Sequence, residues 1–262
     1  MKARANDIDI HYTIEGEGPW LVMSHSLACD SRMWEAEVKA LSKRFKVLCV
    51  DTRGHGGTTA TPGEYTLDML AADTKGLFDT LGVKKPHWIG LSMGGIIAQI
   101  VELNYPGTYA SLVLADTSSG YGEAAVKNWD ERIAAVRAKG ITAIVPGTLE
   151  RWFTEPFRKA HPEIMDKVGG WIAQTPPDGY CGCGKALPRL NATPRLGEIK
   201  VPTLVICGEQ DSGTPPAMAK VINQGIKGSE LVLIPEAAHL SNMEQPAKFL
   251  AALEGFYKRI GV

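Results

Sequence analysis

The sequence lacks the features that direct a chain to a membrane or to nucleic acid. No stretch approaches the roughly 18 consecutive apolar residues of a membrane-spanning helix. The start, MKARANDIDIHYT, lacks the apolar run and cleavage site of a signal peptide. No block of like charge is present, and 28 Lys and Arg against 29 Asp and Glu leave a net charge of −1. We therefore expect a cytoplasmic protein that binds neither nucleic acid nor membranes.

Phosphate-binding motifs and zinc-binding cysteine patterns are also missing. Neither G-x-G-x-x-G after the first strand nor G-x-x-x-x-G-K-[ST] occurs, so dinucleotide and P-loop functions lack their phosphate cradle. Among five cysteines, Cys181 and Cys183 form a C-x-C without a second pair at zinc-finger spacing. Cys49 and Cys207 lie in apolar runs, which favours reduced, buried thiols. We expect no metal and no cofactor.

The sequence does contain a regular alternation of apolar runs and helical patterns. The runs are WLVMSHS (20–26), FKVLCVD (45–51), HWIGLS (87–92), SLVLADT (111–117), VPTLVICGEQD (201–211) and ELVLIPEA (230–237). Continuous apolar runs predict strands covered on both faces, and apolar spacing over 67–81 predicts a helix. This order indicates an α/β fold, a mostly parallel sheet flanked by helices. Alternating residues over 8–14 predict antiparallel strands at one sheet edge.

The alternation stops after Asp116 and resumes at Val201. Residues 121–195 carry helix formers and tryptophans broken by Pro and Gly, which predicts an inserted set of short helices. Such inserts over a sheet commonly act as lids. We therefore assign residues 1–120 and 196–262 to the core and residues 121–195, called the lid below, to a helical insertion.

A possible nucleophile lies in Gly90-Leu91-Ser92-Met93-Gly94, between the strand HWIG and the helical pattern GGIIAQIVELNY. So tight a strand-to-helix turn strains the serine backbone, and the small flanking glycines relieve the crowding. The helix N-terminus behind the serine aims backbone amides at an oxyanion formed there. The context predicts a nucleophilic Ser92. The alternative is a glycine-rich turn with an idle serine.

A nucleophilic serine needs a base that is itself oriented by a carboxylate. Asp211 and His239 each follow a predicted strand, at the carboxyl ends where parallel sheets bind ligands. The order Ser, Asp, His is the one found in α/β-hydrolase triads. Asp116 also ends a strand and is the rival acid. Ser26 is a rival nucleophile that lacks the glycine turn, and a surface loop is the alternative setting for His239.

The oxyanion needs a second donor, because one amide is rarely sufficient. Besides the amide of Met93, the candidate is the amide of Leu27, in the loop that follows the strand WLVM. His25 is placed to fix this loop by a hydrogen bond, and the alternative is a solvated turn histidine.

With these motifs the chain resembles the α/β-hydrolases, and among them the 3-oxoadipate enol-lactonases of the β-ketoadipate pathway. The resemblance runs over nearly the whole length, through HSLACDSRMW, DTRGHG, GLSMGG, LERWFTEPFR, GYCGCGKAL, PTLVICGEQDSGTPP and EAAHLSNMEQP. The ERWFT and GY-x-GC segments of the lid point to the lactonase group. The resemblance implies Ser92 as nucleophile, Asp211 as acid, His239 as base, and the amides of Leu27 and Met93 as the oxyanion hole.

The lid departs from this family at one turn. The family usually follows the GC segment with A-A-I-R-D, whereas here the chain reads KALPRL, with Pro188 in the arginine's place and Arg189 one position later. If the family's arginine pairs with a substrate carboxylate, this lid presents it differently. We expect substrate contacts from Trp129, Trp152 and Arg189.

The expected reaction is hydrolysis of a lactone or carboxylic ester through an acyl-serine intermediate. The substrate class that the resemblance implies is 3-oxoadipate enol-lactone or a related small acidic lactone. The alternatives are a general carboxylesterase or perhydrolase, a carbon–carbon bond hydrolase, and a ligand-binding receptor on the same scaffold. No oligomeric state is predicted.

Overall fold

The computed structural model describes residues 1–262, and its strands form one eight-stranded sheet. The strands are β1 (Lys2–Ala5), β2 (Ile8–Glu15), β3 (Trp20–Ser24), β4 (Lys46–Val50), β5 (His87–Leu91), β6 (Ser111–Ala115), β7 (Thr203–Gly208) and β8 (Glu230–Ile234). Their order in the sheet is β1-β2-β4-β3-β5-β6-β7-β8. The pairs β1/β2 and β2/β4 are antiparallel and all others are parallel, which confirms the predicted sheet and its antiparallel edge.

Helices cover both faces of the sheet, so β5, β6 and β7 are buried at every position. The helices are α1 (Glu35–Leu41), α2 (Leu67–Leu81), α3 (Met93–Asn104), α4 (Ala124–Lys139), α5 (Val145–Trp152), α6 (Glu155–Ala160), α7 (Pro162–Gln174), α8 (Pro177–Ala186), α9 (Pro216–Gly225), α10 (Ser241–Glu244) and α11 (Pro246–Arg259). None of them is both long enough and apolar enough to cross a bilayer. All five cysteines are buried and free.

Helix α2 shows how local sequence sets an element's limits. It begins at Leu67 because the Thr66 side chain accepts a hydrogen bond from the Met69 amide at 3.0 Å. It ends before Gly82, whose φ of 66° is the left-handed conformation that glycine adopts freely. Its buried positions include Leu70 and Leu77, on the face that the apolar spacing predicted. These bounds match the predicted helix over 67–81.

The five helices α4 to α8 lie between β6 and β7, and α8 attaches this insert closely to the core. A Cβ on Gly179 would lie 2.0 Å from the Gly54 carbonyl oxygen, and one on Gly182 would lie 2.8 Å from the Tyr65 ring. The Tyr65 amide also donates to the Gly182 carbonyl at 3.2 Å. The glycines of the GY-x-GC segment therefore let a lid helix contact core backbone directly.

We expect Gly179→Ala to lower the free energy of unfolding by about 1–3 kcal/mol, because the new methyl group meets main chain that cannot give way. The matched control is Gly170→Ala in α7 of the same lid, where an added Cβ meets no atom within 4 Å. That control should be neutral or stabilising by about 0.5–1 kcal/mol. Chemical denaturation measures both, and equal effects would show that the contact with Gly54 does not restrict α8.

Candidate active site

The turn between β5 and α3 holds Ser92 in a strained conformation, with φ 54° and ψ −110°. Its flanking glycines leave no space for side chains. A Cβ on Gly90 would lie 2.3 Å from the Gly94 carbonyl oxygen, and one on Gly94 would lie 2.2 Å from the Ser24 carbonyl oxygen. The Ser92 amide donates to the Ala115 carbonyl of β6 at 2.8 Å. The glycine pattern therefore builds the sharp turn expected at this serine.

Asp211 and His239 meet at the carboxyl ends of β7 and β8. His239 Nδ1 lies 2.8 Å from Asp211 Oδ2, which also accepts a hydrogen bond from Thr214 Oγ1 at 2.7 Å. Asp211 Oδ1 accepts from the amides of Gly213 and Thr214 at 2.8 and 3.0 Å. Both side chains are buried, so four donors fix the carboxylate against the imidazole.

The two groups shift each other's pKa in opposite directions. Burial raises the pKa of Asp211, but the charge and hydrogen bond of His239 and the hydrogen bonds of Thr214 outweigh it and bring that pKa below its ordinary value. Burial lowers the pKa of His239, while the Asp211 charge and hydrogen bond, with the charge of Asp116, raise it above its ordinary value. Asp211 is therefore ionised and holds a proton on Nδ1, which leaves Nε2 free to act as a base.

The rival acid, Asp116, makes no hydrogen bond to His239. Its Oδ1 accepts from the Gly208 amide at 2.7 Å and its Oδ2 from Ser241 Oγ at 2.5 Å. Burial and the charge of Asp211 raise the pKa of Asp116 to about 8. The structure thus brings Asp211, and not Asp116, to the imidazole.

Ser92 and His239 line the same cavity, which has a volume of about 270 Å³. His239 makes hydrogen bonds to Asp211 and Thr214 and none to Ser92. Such bonds between nucleophile and base often form only when substrate is bound. The rival nucleophile Ser26 lines the cavity too, but its Oγ is buried without any hydrogen-bond partner, so no base contacts it.

The backbone amides of Leu27 and Met93, beside this cavity, donate to no acceptor in the protein. Met93 is the first residue of α3, where amides lack an intrahelical partner. His25 is fully buried; its Nε2 accepts from the Thr52 amide at 2.9 Å, so its Nδ1 carries the proton and donates to the Ser26 carbonyl at 2.7 Å. His25 therefore orients the peptide group whose amide belongs to Leu27, and it is not a solvated histidine.

The structure separates the three residues predicted to contact substrate. Trp129 and Trp152 line the cavity, and the Trp152 ring stacks on His239 with centroids 6.2 Å apart. Arg189 does not line it: the side chain is 64% exposed and pairs with Glu64 at 3.5 Å. The expectation for Arg189 is corrected, because the short 3-10 turn Leu187–Arg189 directs Leu187 to the cavity and Arg189 to the surface.

Two other arginines, Arg132 and Arg151, line the cavity and form no ion pair with a carboxylate. The Arg132 guanidinium lies over the Trp129 ring at 5.1 Å, and Arg151 donates to Thr148 Oγ1 at 3.1 Å. Burial and the charge of Arg132 lower the pKa of Arg151. Neighbouring guanidiniums without a counterion attract an anionic ligand. Sequence reasoning missed both, although Arg132 follows Trp129 at the i+3 spacing of one helix face.

Asp116, Cys207 and Asp211 bring one ligand atom each to within 4.8 Å of one another. This donor set does not suit a metal ion. The oxygens of both carboxyl groups already accept hydrogen bonds from Gly208, Ser241, His239 and Thr214. Burial also raises the pKa of the Cys207 thiol, which keeps it protonated, whereas metals bind the thiolate.

Comparison with known proteins shows which family the chain belongs to. Residues 19–246 match the family model described as alpha/beta hydrolase fold. The chain is 35% identical to 3-oxoadipate enol-lactonase 2 of Acinetobacter baylyi, over 97% of this chain and 95% of that protein. The crystal structure of the enol-lactonase from Burkholderia xenovorans LB400 superimposes with a TM-score of 0.95 at 34% identity, covering 98% of this chain and all of that one.

A thermophilic esterase from Thermogutta terrifontis, solved with malate bound, superimposes with a TM-score of 0.94 at 29% identity, over all of this chain and 99% of that one. The family match and the relatives cover nearly the whole length, as the resemblance predicted. The chain therefore belongs to the α/β hydrolase fold family, as a hydrolase that acts on ester bonds.

Proposed function

We propose that the chain hydrolyses a small lactone or ester that carries a carboxylate, 3-oxoadipate enol-lactone or a close relative. One observation carries the proposal: Ser92, His239 and two guanidiniums without counterions line a single cavity of about 270 Å³. A hydrolytic centre and an anion-binding centre in one small cavity suit an acidic substrate. The enol-lactonase relatives support the same substrate class and, through it, a role in aromatic catabolism in the cytoplasm.

The proposed reaction has two steps, acylation of Ser92 and hydrolysis of the acyl-serine, and His239 transfers a proton in both. His239 Nε2 takes the Ser92 proton while Oγ attacks the lactone carbonyl, and the amides of Leu27 and Met93 stabilise the oxyanion. The carbon–oxygen ring bond then breaks, and His239 returns its proton to the leaving enol oxygen. Tautomerisation of the enol to a ketone removes the nucleophile that would close the ring again. Water, activated by His239, then hydrolyses the acyl-serine.

The lid is proposed to select the substrate, because the turn at Ser92 and the pair Asp211–His239 provide chemistry common to many esters. Arg132 and Trp129 belong to α4 and Arg151 to α5, so the lid supplies the charged and aromatic wall of the cavity. The substrate carboxylate would bind between the two guanidiniums. In this assignment Arg132 and Arg151 take the part expected of Arg189.

Replacing Ser92 with Ala should lower kcat at least about 1,000-fold on both enol-lactone and p-nitrophenyl acetate. Loss of the enol-lactone ultraviolet absorbance and release of p-nitrophenolate measure the two reactions. Turnover that survives Ser92→Ala would contradict the acyl-serine route. Turnover of neutral esters without turnover of the lactone would instead identify a general carboxylesterase.

Removing either cavity arginine should affect acidic substrates selectively. We expect Arg132→Ala and Arg151→Ala to lower kcat/KM for enol-lactone about 10- to 100-fold, since each removes a charge-assisted hydrogen bond, and to leave p-nitrophenyl acetate within about twofold. Arg189→Ala is the matched control and should change neither, because its side chain pairs with Glu64 at the surface. Equal losses on the acidic and the neutral substrate would rule out a carboxylate site here.

The pKa of His239 should determine the acid limb of the pH profile of kcat/KM. A base acts only when deprotonated, and the Asp211 interaction raises the His239 pKa, so kcat/KM should rise with pH through a value above the ordinary histidine pKa of about 6.5. Asp211→Asn removes that charge and should move the limb to lower pH while lowering kcat. An unchanged limb in Asp211→Asn would show that another group controls it.

A further inference from the structure

One short stretch of the lid, Trp152–Thr154, contacts the loop that carries His239. The Leu240 amide donates to the Trp152 carbonyl at 3.1 Å. The amide and Oγ1 of Thr154 both donate to Glu244 Oε1, at 2.9 and 2.8 Å. These contacts join residues about 90 positions apart in sequence.

Glu244 connects this lid stretch to the histidine itself. Its side chain is buried, and while Oε1 faces Thr154, its Oε2 accepts from the Ala238 amide at 2.5 Å. Every group that its two oxygens face is therefore a donor, and the carboxylate is the matching acceptor for all three. No lysine or arginine pairs with it, so its interactions are with these amides and this hydroxyl.

The lid thus holds the main chain on both sides of His239. The preceding residue, Ala238, is held through Glu244, and the following residue, Leu240, is held by the Trp152 carbonyl. The Trp152 ring also stacks on the imidazole. Asp211 fixes only Nδ1, so the direction of Nε2 towards Ser92 depends on how the loop sits against the lid.

We propose that Thr154 and Glu244 are positioning residues for His239: together they fasten the histidine loop to the lid and so aim the base at the nucleophile. The inference rests on the proposed function of Ser92 and His239. Neither Thr154 nor Glu244 lines the cavity, so neither touches substrate. Loss of their hydrogen bonds should therefore lower kcat and leave KM largely unchanged.

The test compares Glu244→Gln and Thr154→Val with wild type on p-nitrophenyl acetate, which has no carboxylate for the lid arginines. In Glu244→Gln the side-chain NH2 group replaces one carboxylate oxygen, so it must face either the Ala238 amide or the donors of Thr154. In Thr154→Val the hydroxyl that donates to Glu244 is removed. We expect kcat to fall about 10- to 100-fold in each, since misplacement of about 1 Å costs about 100-fold, with KM within about twofold. Thr154→Ser keeps the hydroxyl and should restore kcat.

Glu35→Gln is the matched control, because Glu35 makes a different lid-to-core contact, an exposed ion pair with Lys167 at 2.9 Å, far along the chain from His239. It should keep wild-type kcat and KM. Labelling of Ser92 by a fluorophosphonate gives a second readout, expected to slow in Glu244→Gln and Thr154→Val and not in Glu35→Gln.

The outcomes separate the two proposals. Wild type that neither turns over the ester nor labels at Ser92 refutes the proposed function itself. The positioning role is overturned if wild type is active and Glu244→Gln and Thr154→Val have the same kcat as Glu35→Gln. It is also overturned if the two variants raise KM and leave kcat unchanged. If Glu244→Gln does not fold, Thr154→Val and Thr154→Ser decide. Thr154 Oγ1 also accepts from the Phe157 amide at 3.4 Å at the start of α6, and serine keeps that bond too, so the two variants are compared at equal fractions of folded protein. A loss of kcat that serine reverses, with KM unchanged and the fold intact, supports the positioning role, and an unchanged kcat in folded Thr154→Val overturns it.

Discussion

Backbone packed against backbone at Ser92 is the constraint on which the rest of the site depends. Gly90 and Gly94 let β5, α3 and the end of β3 approach more closely than any side chain allows. That approach puts the free amide of Met93 and the loop holding Leu27 beside one serine. The strained φ of Ser92 is tolerated because hydrogen bonds to Ala115 and from Thr117 fix the turn on both sides.

The pKa values of the two buried carboxyl groups near His239 depend on the hydrogen bonds and charges around each of them. Asp211 receives four hydrogen bonds and stays ionised, whereas Asp116, buried beside it, has its pKa raised to about 8. Two buried carboxylates so close repel each other, and this repulsion contributes to the raised pKa of Asp116. Of the two carboxyl groups, only that of Asp211 is hydrogen-bonded to the imidazole.

Some residues of the lid attach it to the core, and others line the cavity. Glycines of α8 pack on core backbone, and Thr154 with Glu244 joins the stretch after α5 to the histidine loop. Helices α4 and α5, which precede both attachments in the chain, present Arg132 and Arg151 to the cavity. Trp152 belongs to both sets, because its ring lines the cavity while its carbonyl accepts from the Leu240 amide.

The sequence by itself determined the sheet, the α2 limits and the turn at Ser92, because strand patterns, caps and glycine requirements are local. It also placed Asp211 and His239 at strand ends, and parallel strands bring such ends to one edge. It did not determine which lid arginine faces the cavity: Arg189 lies one position beyond the arginine of the family pattern, and the structure places its side chain beside Glu64 at the surface. Nor did it reveal Thr154 and Glu244 as partners. Such choices depend on how short helices pack together, and the tertiary structure alone decides contacts between residues so distant in the chain.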